Sequence, residues 1–466
     1  MVPGIGALGA GLLFRKHSGR AMAAIVIIGA GLAGSLMASK LAERHHVTVI
    51  EQSSRNRPQP IADRGRPAGL DAHVGAGFGG STYLWHNGLI ELEDDDYDTW
   101  PLSAAEVRKH VPAAHEALSG TSIDQVRKTG SELRAGFQRQ GVPGGLLGRP
   151  LYYPVKRRNV WQSERLRERG MTSAVGRVER LAIGDAGRVV GAHLAGQPDP
   201  ITGDIFILAA GGLGSPLILQ ASGTFANAGR FYVDHPSAFV GEFTARANLN
   251  GLWNRFDRSL AGSVRLPLVV ATPQRKFAFY LRPAGLHALK VQSVLSDLRN
   301  APYDPRHYVR LLMRTNDIVE ALSLRAGINI PTRRFALFMM AEQLPQDGIS
   351  VMAKDGSVSR DWRLDDEFLI AARAAIDQLL DALAPVTERS QVFPDWPDGI
   401  KTSAHHSGTC RMAATAEAGV CDRDGRVFGT TNLFVCDGSV LPATGYANTG
   451  LTIGALALRL AETINA

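Results

Sequence analysis

The sequence predicts an α/β fold, α+β when the whole chain is counted, in which a Rossmann-like parallel sheet is joined to a second domain. Three observations carry this reading. The β-branched run IVII (25–28) leads directly into GAGLAG (29–34). A helix-like segment and a second strand, VTVIE (47–51), come next. Finally, 466 residues, 45% hydrophobic and 20% charged with 50 glycines, exceed what one core fills and suit a loop-rich α/β protein.

Residues 1–21 have a short apolar part followed, not preceded, by Arg15, Lys16 and Arg20. That is the wrong order for a secretory signal, so a disordered extension is expected, with a weak amphipathic anchor as the alternative. The longest apolar stretch, Ile205 to Leu219, is interrupted by Ser215 and Pro216 and is shorter than the ~20 residues of a spanning helix. A soluble, cytoplasmic protein is expected. The formal charge of +7 fits a solvated basic surface; an anionic substrate, an acidic carrier or a membrane surface is the sharper reading. No basic run with interleaved aromatics argues for nucleic acid. Cys410, Cys421 and Cys436 are odd in number and lack metal-type spacing, so neither a disulfide framework nor a metal site is expected.

IVII suits a strand buried on both faces. Gly29, Gly31 and Gly34 then form G-x-G-x-x-G: one glycine for the tight turn, one for close approach to a pyrophosphate, one for helix–strand packing. Ala38 and Ala42 continue a small-residue face from Gly34. Glu51 ends the second strand, where a carboxylate can accept the ribose hydroxyls of an adenosine. Strand, helix, strand and acid in this order predict dinucleotide binding; they do not choose between FAD and NAD.

The remaining motifs make that choice. GFGGSTYLWHNG (77–88), AAGGLGSPLILQASG (209–223), GRFYVDHP (229–236) with Asp234-His235-Pro236, and the C-terminal 60 residues resemble the glucose–methanol–choline (GMC) oxidoreductase family. The similarity spans residues 25–466 and is weakest between about 240 and 395. It implies FAD, with Gly79, Gly80 and Ser81 in a flavin-contacting loop, where the glycines let backbone pass a flat ring and Ser81 and Thr82 bond its polar edge. It implies a strand–turn–helix at Ala210 near the cofactor, with Gly214-Ser215-Pro216 starting the helix, and a hairpin containing Val178 beside the adenine half. Asp437 and Gly438 match the positions that contact phosphate and ribitol. In several members a histidine of the glycine loop is covalently joined to the flavin; Leu84 stands there in this sequence, with His86 the weaker substitute. Noncovalent FAD is therefore expected.

HHSGTCRM (405–412) matches the family's H-x-x-G-T-x-R-M, which puts the catalytic histidine on His405, and the paired position is Asn448 in NTGLTI. A neutral imidazole with a pKa near ~6.5 is a suitable proton acceptor as hydride leaves an alcohol carbon. The Asn448 carboxamide can hold the oxygen while charge develops. Thr449 or Asn448 is expected to cap the last helix and aim its positive end at the flavin. His406 and the cysteines read as structural, and Trp85 and Tyr446 as candidate substrate contacts.

The expected organisation is an FAD-binding domain from 22–90, 150–235 and 395–466, a helical connection or lid at 91–149 with a Ser103/Glu106 capping box, and a substrate domain at 236–394. The resemblance makes the last an antiparallel sheet that roofs the flavin. The leading function is FAD-dependent oxidation of an alcohol, a sugar or hydroxylated metabolite, with O2 or another electron acceptor. The alternatives are a non-redox or light-driven lyase or decarboxylase on the same fold, and a non-catalytic flavin-binding subunit.

Overall fold

The structure, a computed structural model, describes residues 22–60, 62–63, 73–85, 87–156, 158–163, 166, 171–223, 225–246, 249, 251–285, 305, 309, 332–346, 348–354 and 357–466. The N-terminal extension and His86 lie outside the described residues.

Strand β1 (Ala24–Ile28) is buried from Ile25 onward, helix α1 (Leu32–Leu41) follows, and β2 (His46–Glu51) returns beside β1. Helices α2 (Val111–Ser119) and α3 (Ile123–Arg139) come next, after a short helix, Ala104–Arg108. The Ser103 capping box forms at that short helix: Ser103 Oγ accepts from Glu106 N, and Glu106 Oε2 accepts from Ser103 N at 3.0 Å. The chain then makes β3 (Thr172–Val175), the hairpin β4 (Val178–Ile183) and β5 (Val189–Leu194), β6 (Ile205–Leu208) and α4 (Gly211–Ser222). Strands β7 (Pro236–Ala245), β8 (Leu268–Ala271), β9 (Lys276–Pro283) and β10 (Arg334–Ala341) precede α5 (Phe368–Leu383). Last come β11 (Thr387–Val392), β12 (Leu433–Val435) and α6 (Gly450–Asn465).

Two sheets dominate. The first is parallel, in the order β12-β6-β1-β2-β3, with Ile28 level with both Leu208 and Ile50. Central strands of such a sheet are covered on both faces, which is why β1 and β6 are nearly all apolar. Helices α1 and α6 pack against each other, and α2 packs on α6. The second sheet is antiparallel, in the order β8-β9-β10-β7-β11, with Lys401–Thr402 pairing the start of β7. Buried side chains from both sheets form one contiguous apolar cluster.

Helix α4 corrects a detail. It starts at Gly211 rather than at Gly214-Ser215-Pro216, so Pro216 sits inside the helix. Proline has no N–H, which strips the Gly212 carbonyl of its helical partner. Thr409 Oγ1 donates to that carbonyl at 2.6 Å instead. The threonine of the H-x-x-G-T motif thus repairs a helix that its own segment crosses.

Among the described residues no helix is long and apolar enough to cross a membrane, and no group of acidic, histidine and cysteine side chains could hold a metal ion. The three cysteines are buried free thiols, and burial raises the pKa of each.

Candidate active site

The glycines of the first turn meet different surroundings. Gly29 has φ +108°, and a Cβ there would fall 2.3 Å from the Ala209 carbonyl oxygen; at Gly34 it would fall 2.0 Å from the Gly29 carbonyl oxygen. Both are fixed by packing. At Gly31, beside the N-terminus of α1, a Cβ would meet nothing within 4 Å. That open edge, with the free N–H groups of a helix start, fits a phosphate.

Glu51 is buried and ties this turn to the second glycine loop. Its Oε2 accepts from Ala30 N at 3.0 Å and its Oε1 from Gly77 N at 2.9 Å. Each oxygen keeps a second lone pair for a ribose hydroxyl. Gly79 N donates to the Ala30 carbonyl at 2.7 Å, and a Cβ at Gly80 (φ +54°) would lie 2.8 Å from Gly31 Cα. The two glycine loops therefore touch. Both hydroxyls of this loop also bond within it: Ser81 Oγ accepts from Gly75 N at 3.0 Å and Thr82 Oγ1 donates to the Gly79 carbonyl at 2.6 Å. Thr82 thereby spends its proton inside the loop, while the O–H of exposed Ser81 is not used by that bond. Val178 opens β4, shortly after Val175 pairs with Glu51, and so stands at the same end of the parallel sheet.

A third contact surface lies at the start of α4, where Ala210 precedes the helix. Asp437 Oδ2 accepts from Gly211 N at 2.8 Å and from Ser215 Oγ at 2.5 Å, while Oδ1 accepts from Ser439 N at 2.8 Å. Burial raises the pKa of this carboxyl against those hydrogen bonds. Its side chain thus pins α4 to the 437–440 turn. A Cβ at Gly438 would come 2.8 Å from the His406 carbonyl oxygen, and one at Gly212 would come 2.0 Å from it.

His405 is presented by an irregular ladder. Pro236 pairs with Thr402, and Val233 exchanges both main-chain bonds with Ser407 at 3.0 Å. Between these pairs, residues 234–235 face residues 403–406, so two extra residues bulge out. Ala404 takes φ +58° there, and His405 and His406 project from the bulge. Gly408 (φ +82°) ends it; a Cβ would lie 2.1 Å from the Phe231 carbonyl oxygen.

His405 Nδ1 lies 2.8 Å from His235 Nδ1, and His235 Nε2 lies 3.0 Å from the Gly445 carbonyl oxygen. On the other edge, Asn448 Nδ2 is 3.2 Å from His405 Nε2. Burial, helped by the neighbouring His405, lowers the His235 pKa to about 3. Asp234 Oδ1 accepts from His235 N at 2.7 Å and His405 N at 3.0 Å, and Oδ2 accepts from Tyr232 and Thr402 hydroxyls. Burial pushes this carboxyl up, but His406, Arg360, Thr402 and His405 outweigh it, and its pKa falls below the ordinary value. His406 Nδ1 is 2.8 Å from Tyr232 Oη.

Neither Asn448 nor Thr449 caps α6 with its side chain, a further correction: Thr449 stands at the cap position with no such bond, and the Asn448 amide turns to His405. Trp85 is half-buried against the same helix end, where a Cβ at Gly450 would lie 2.4 Å from its ring. Tyr446 is spent elsewhere, donating to Glu93 Oε1 at 2.6 Å and accepting from Arg149 N at 3.1 Å, so its hydroxyl does not face a substrate.

Buried polar atoms without a partner gather at this point: Trp85 Nε1, both polar atoms of the Asn87 carboxamide, and Asn448 Oδ1. Gly88 links them, since a Cβ there would lie 3.4 Å from Asn448 Oδ1. Buried polar groups are normally satisfied, so this group suits a polar ring system laid between the loop and α6. Together with open Gly31 and with Gly211, where a Cβ also meets nothing, the residues present fit FAD. Tyr232, Arg360 and the Gly445 carbonyl belong to the cluster but carry no signal in the sequence; His235 was visible only as part of Asp-His-Pro.

A family model described as GMC oxidoreductase matches residues 345–457, the segment holding His405 and Asn448. This C-terminal segment is thus similar to the GMC oxidoreductase family. A second family model, the NAD(P)-binding Rossmann-like domain, matches residues 27–57. Residues of this chain are 44% identical over 62 positions to long-chain-alcohol oxidase FAO4B of Arabidopsis thaliana, covering 13% of this chain and 8% of that one. They are 32% identical over 140 positions to 2-methyl-1,2-propanediol dehydrogenase of Mycolicibacterium austroafricanum, covering 28% and 25%. For cholesterol oxidase of Acinetobacter baumannii the figures are 47% over 60 positions, covering 13% and 11%. The matched stretches thus span a quarter or less of these curated relatives. Among solved structures, pyridoxine 4-oxidase from Mesorbium loti superposes with TM-score 0.57 at 17% identity, over 95% of this chain and 99% of that one. Formate oxidase from Aspergillus oryzae RIB40 gives 0.58 at 15% identity, over 95% and 97%. These two likenesses establish a shared fold.

Proposed function

We propose that this protein is an FAD-dependent oxidoreductase of the GMC type that converts an alcohol, a sugar or hydroxylated metabolite, to a carbonyl compound, with His405 as the base. One observation carries the reading: the hydrogen-bonded line Gly445 O, His235, His405, Asn448. The Gly445 carbonyl only accepts, so His235 Nε2 must carry the proton. His235 is neutral at a pKa of about 3, so its Nδ1 is a lone pair and must receive a proton from His405 Nδ1. Neutral His405 is thereby left with a bare Nε2, the atom beside Asn448.

That nitrogen takes the hydroxyl proton of the substrate, and the Asn448 carboxamide donates to the same oxygen as charge gathers on it. FAD, when bound, supplies the hydride acceptor. Gly29, Gly31, Gly34 and Glu51 would hold its adenosine and diphosphate, with Val178 beside the adenine. Gly79, Gly80, Ser81, Ala210, Asp437, Gly438 and Thr449 would form the walls around the remainder, largely through backbone. Leu84 offers no nucleophile to a flavin, so the cofactor is held noncovalently.

The relatives named as alcohol oxidase, propanediol dehydrogenase and cholesterol oxidase support CH–OH chemistry as the reaction class. The test is anaerobic stopped-flow bleaching of the flavin by a panel of alcohols and sugars. At least one should reduce it, and His405→Ala should slow that reduction about 10²–10⁴-fold with FAD content unchanged. Reduction of His405→Ala at the wild-type rate would overturn the assignment of the base.

A further inference from the structure

Behind the histidines stands a buried charge that the mechanism above does not use. Arg360 ends a two-stranded hairpin, Val351–Lys354 with Ser357–Arg360, and is fully buried, as are Tyr232, Asp234 and His235. Its Nη1 donates to Tyr232 Oη at 3.0 Å and to Thr402 Oγ1 at 3.3 Å, and lies 3.6 Å from Asp234 Oδ2. The guanidinium sits by the Tyr232 and Trp362 rings, 5.8 and 5.7 Å from their centroids. A guanidinium stays protonated in proteins, so this is a permanent cation. Asp234 is the carboxylate that grips the main chain of both His235 and His405.

We propose that Arg360 is a positioning residue for this site: by offsetting the Asp234 carboxylate, it keeps His405 in the neutral form that accepts a proton at neutral pH. The inference rests on His405 being the base. Its sign follows from elementary electrostatics. An uncompensated carboxylate beside an imidazole favours the imidazolium, which has no lone pair at Nε2. Arg360 lessens that pull. Among the described residues, the other groups facing the pair include His235 and Tyr232 from the segment before β7, His406 from the bulge, and neutral Thr402, Asn448 and Gln343; Gln343 Oε1 accepts from Asp234 N at 3.0 Å. Of the titratable ones, His235 stays neutral and burial holds the Tyr232 hydroxyl protonated, while His406, 3.9 Å from Asp234 Oδ2, acts with Arg360 in drawing the Asp234 pKa down.

The test is the pH profile of anaerobic flavin reduction by the best alcohol of the screen. Arg360→Met should move the acid limb up by about one pH unit, the order of a unit charge acting at an effective dielectric near 20. Arg360→Lys should leave it near the wild-type position. A His406→Gln background, run in parallel, removes the second imidazole from the profile. Arg360→Met leaves a buried carboxylate unpaired and risks unfolding, whereas removing both charges is milder. A second comparison therefore sets Asp234→Asn against Asp234→Asn/Arg360→Gln: the double variant should show the higher limb. A folded, FAD-bound Arg360→Met with the wild-type limb, or no difference between that second pair, overturns the inference and leaves His405 as base untouched. Wild-type reduction by His405→Ala is the separate result that removes the base reading, and this inference with it.

Discussion

The Gly445 carbonyl is a backbone atom, yet in the proposed mechanism it decides which nitrogen of His405 is bare. His235→Ala removes the acceptor facing His405 Nδ1 and frees the tautomer. Flavin reduction should then slow by about 10–100-fold, less than on loss of the base itself, while FAD content stays constant; an unchanged rate in stopped flow would remove His235 from the line. Asn448→Ala takes away the donor beside Nε2 and should cost about 10²–10³-fold in the same assay. At this scale the sequence showed residue types but not partners. His405 and Asn448 were legible because both stand at motif positions, and the structure brings them together at 3.2 Å. Arg360 and Tyr232 were not, because a buried hydrogen bond between residues 128 positions apart leaves no local spacing to read. The bonds that Asp437 and Thr82 make within their turns were not legible for a related reason: polar side chains in glycine-rich turns often serve the turn itself.

Single elements are held at this site by repairs and close approaches. Gly408 (φ +82°) closes the bulge that carries His405 and His406. Gly408→Ala combines a left-handed backbone with a Cβ 2.1 Å from the Phe231 carbonyl oxygen, so it should destabilise by about 1–3 kcal/mol and lower flavin reduction together. Thr409→Val strips the Gly212 carbonyl of the donor that replaces the N–H missing at Pro216. Thermal unfolding should show a loss of about 1–3 kcal/mol. Equal melting temperatures for Thr409→Val and wild type would contradict this account of α4. The strands β1, β2 and β6 were legible as β-branched runs, because a strand covered on both faces must be apolar throughout. The start of α4 was not: a proline marked the wrong residue, since its missing bond is made good by a threonine nearly two hundred residues away.

On the scale of the whole molecule, the antiparallel sheet carries a carboxyl group at the end of β10. Burial and the nearby Asp96 raise the pKa of Glu342, which follows β10, from 4.5 to about 7. The folded protein therefore holds a proton that the unfolded chain releases, so this group's contribution to stability is present below pH 4.5, declines as pH rises, and is gone above about 7. Glu342→Gln should flatten the fall in melting temperature across that window; parallel curves for the two proteins would refute it. The parallel fold was legible from one strand–glycine–helix–strand unit, whereas the order of the antiparallel sheet depends on pairings between distant strands that no local pattern encodes. The central claim is that separate glycine turns close around one noncovalent FAD beside His405. The most direct measurement is the flavin retained per chain after incubation with FAD and desalting, and the flavin released on denaturation. One FAD per chain, all of it freed into the filtrate, is the predicted result. A protein that stays colourless with excess FAD, or whose flavin remains attached to the denatured chain, contradicts it.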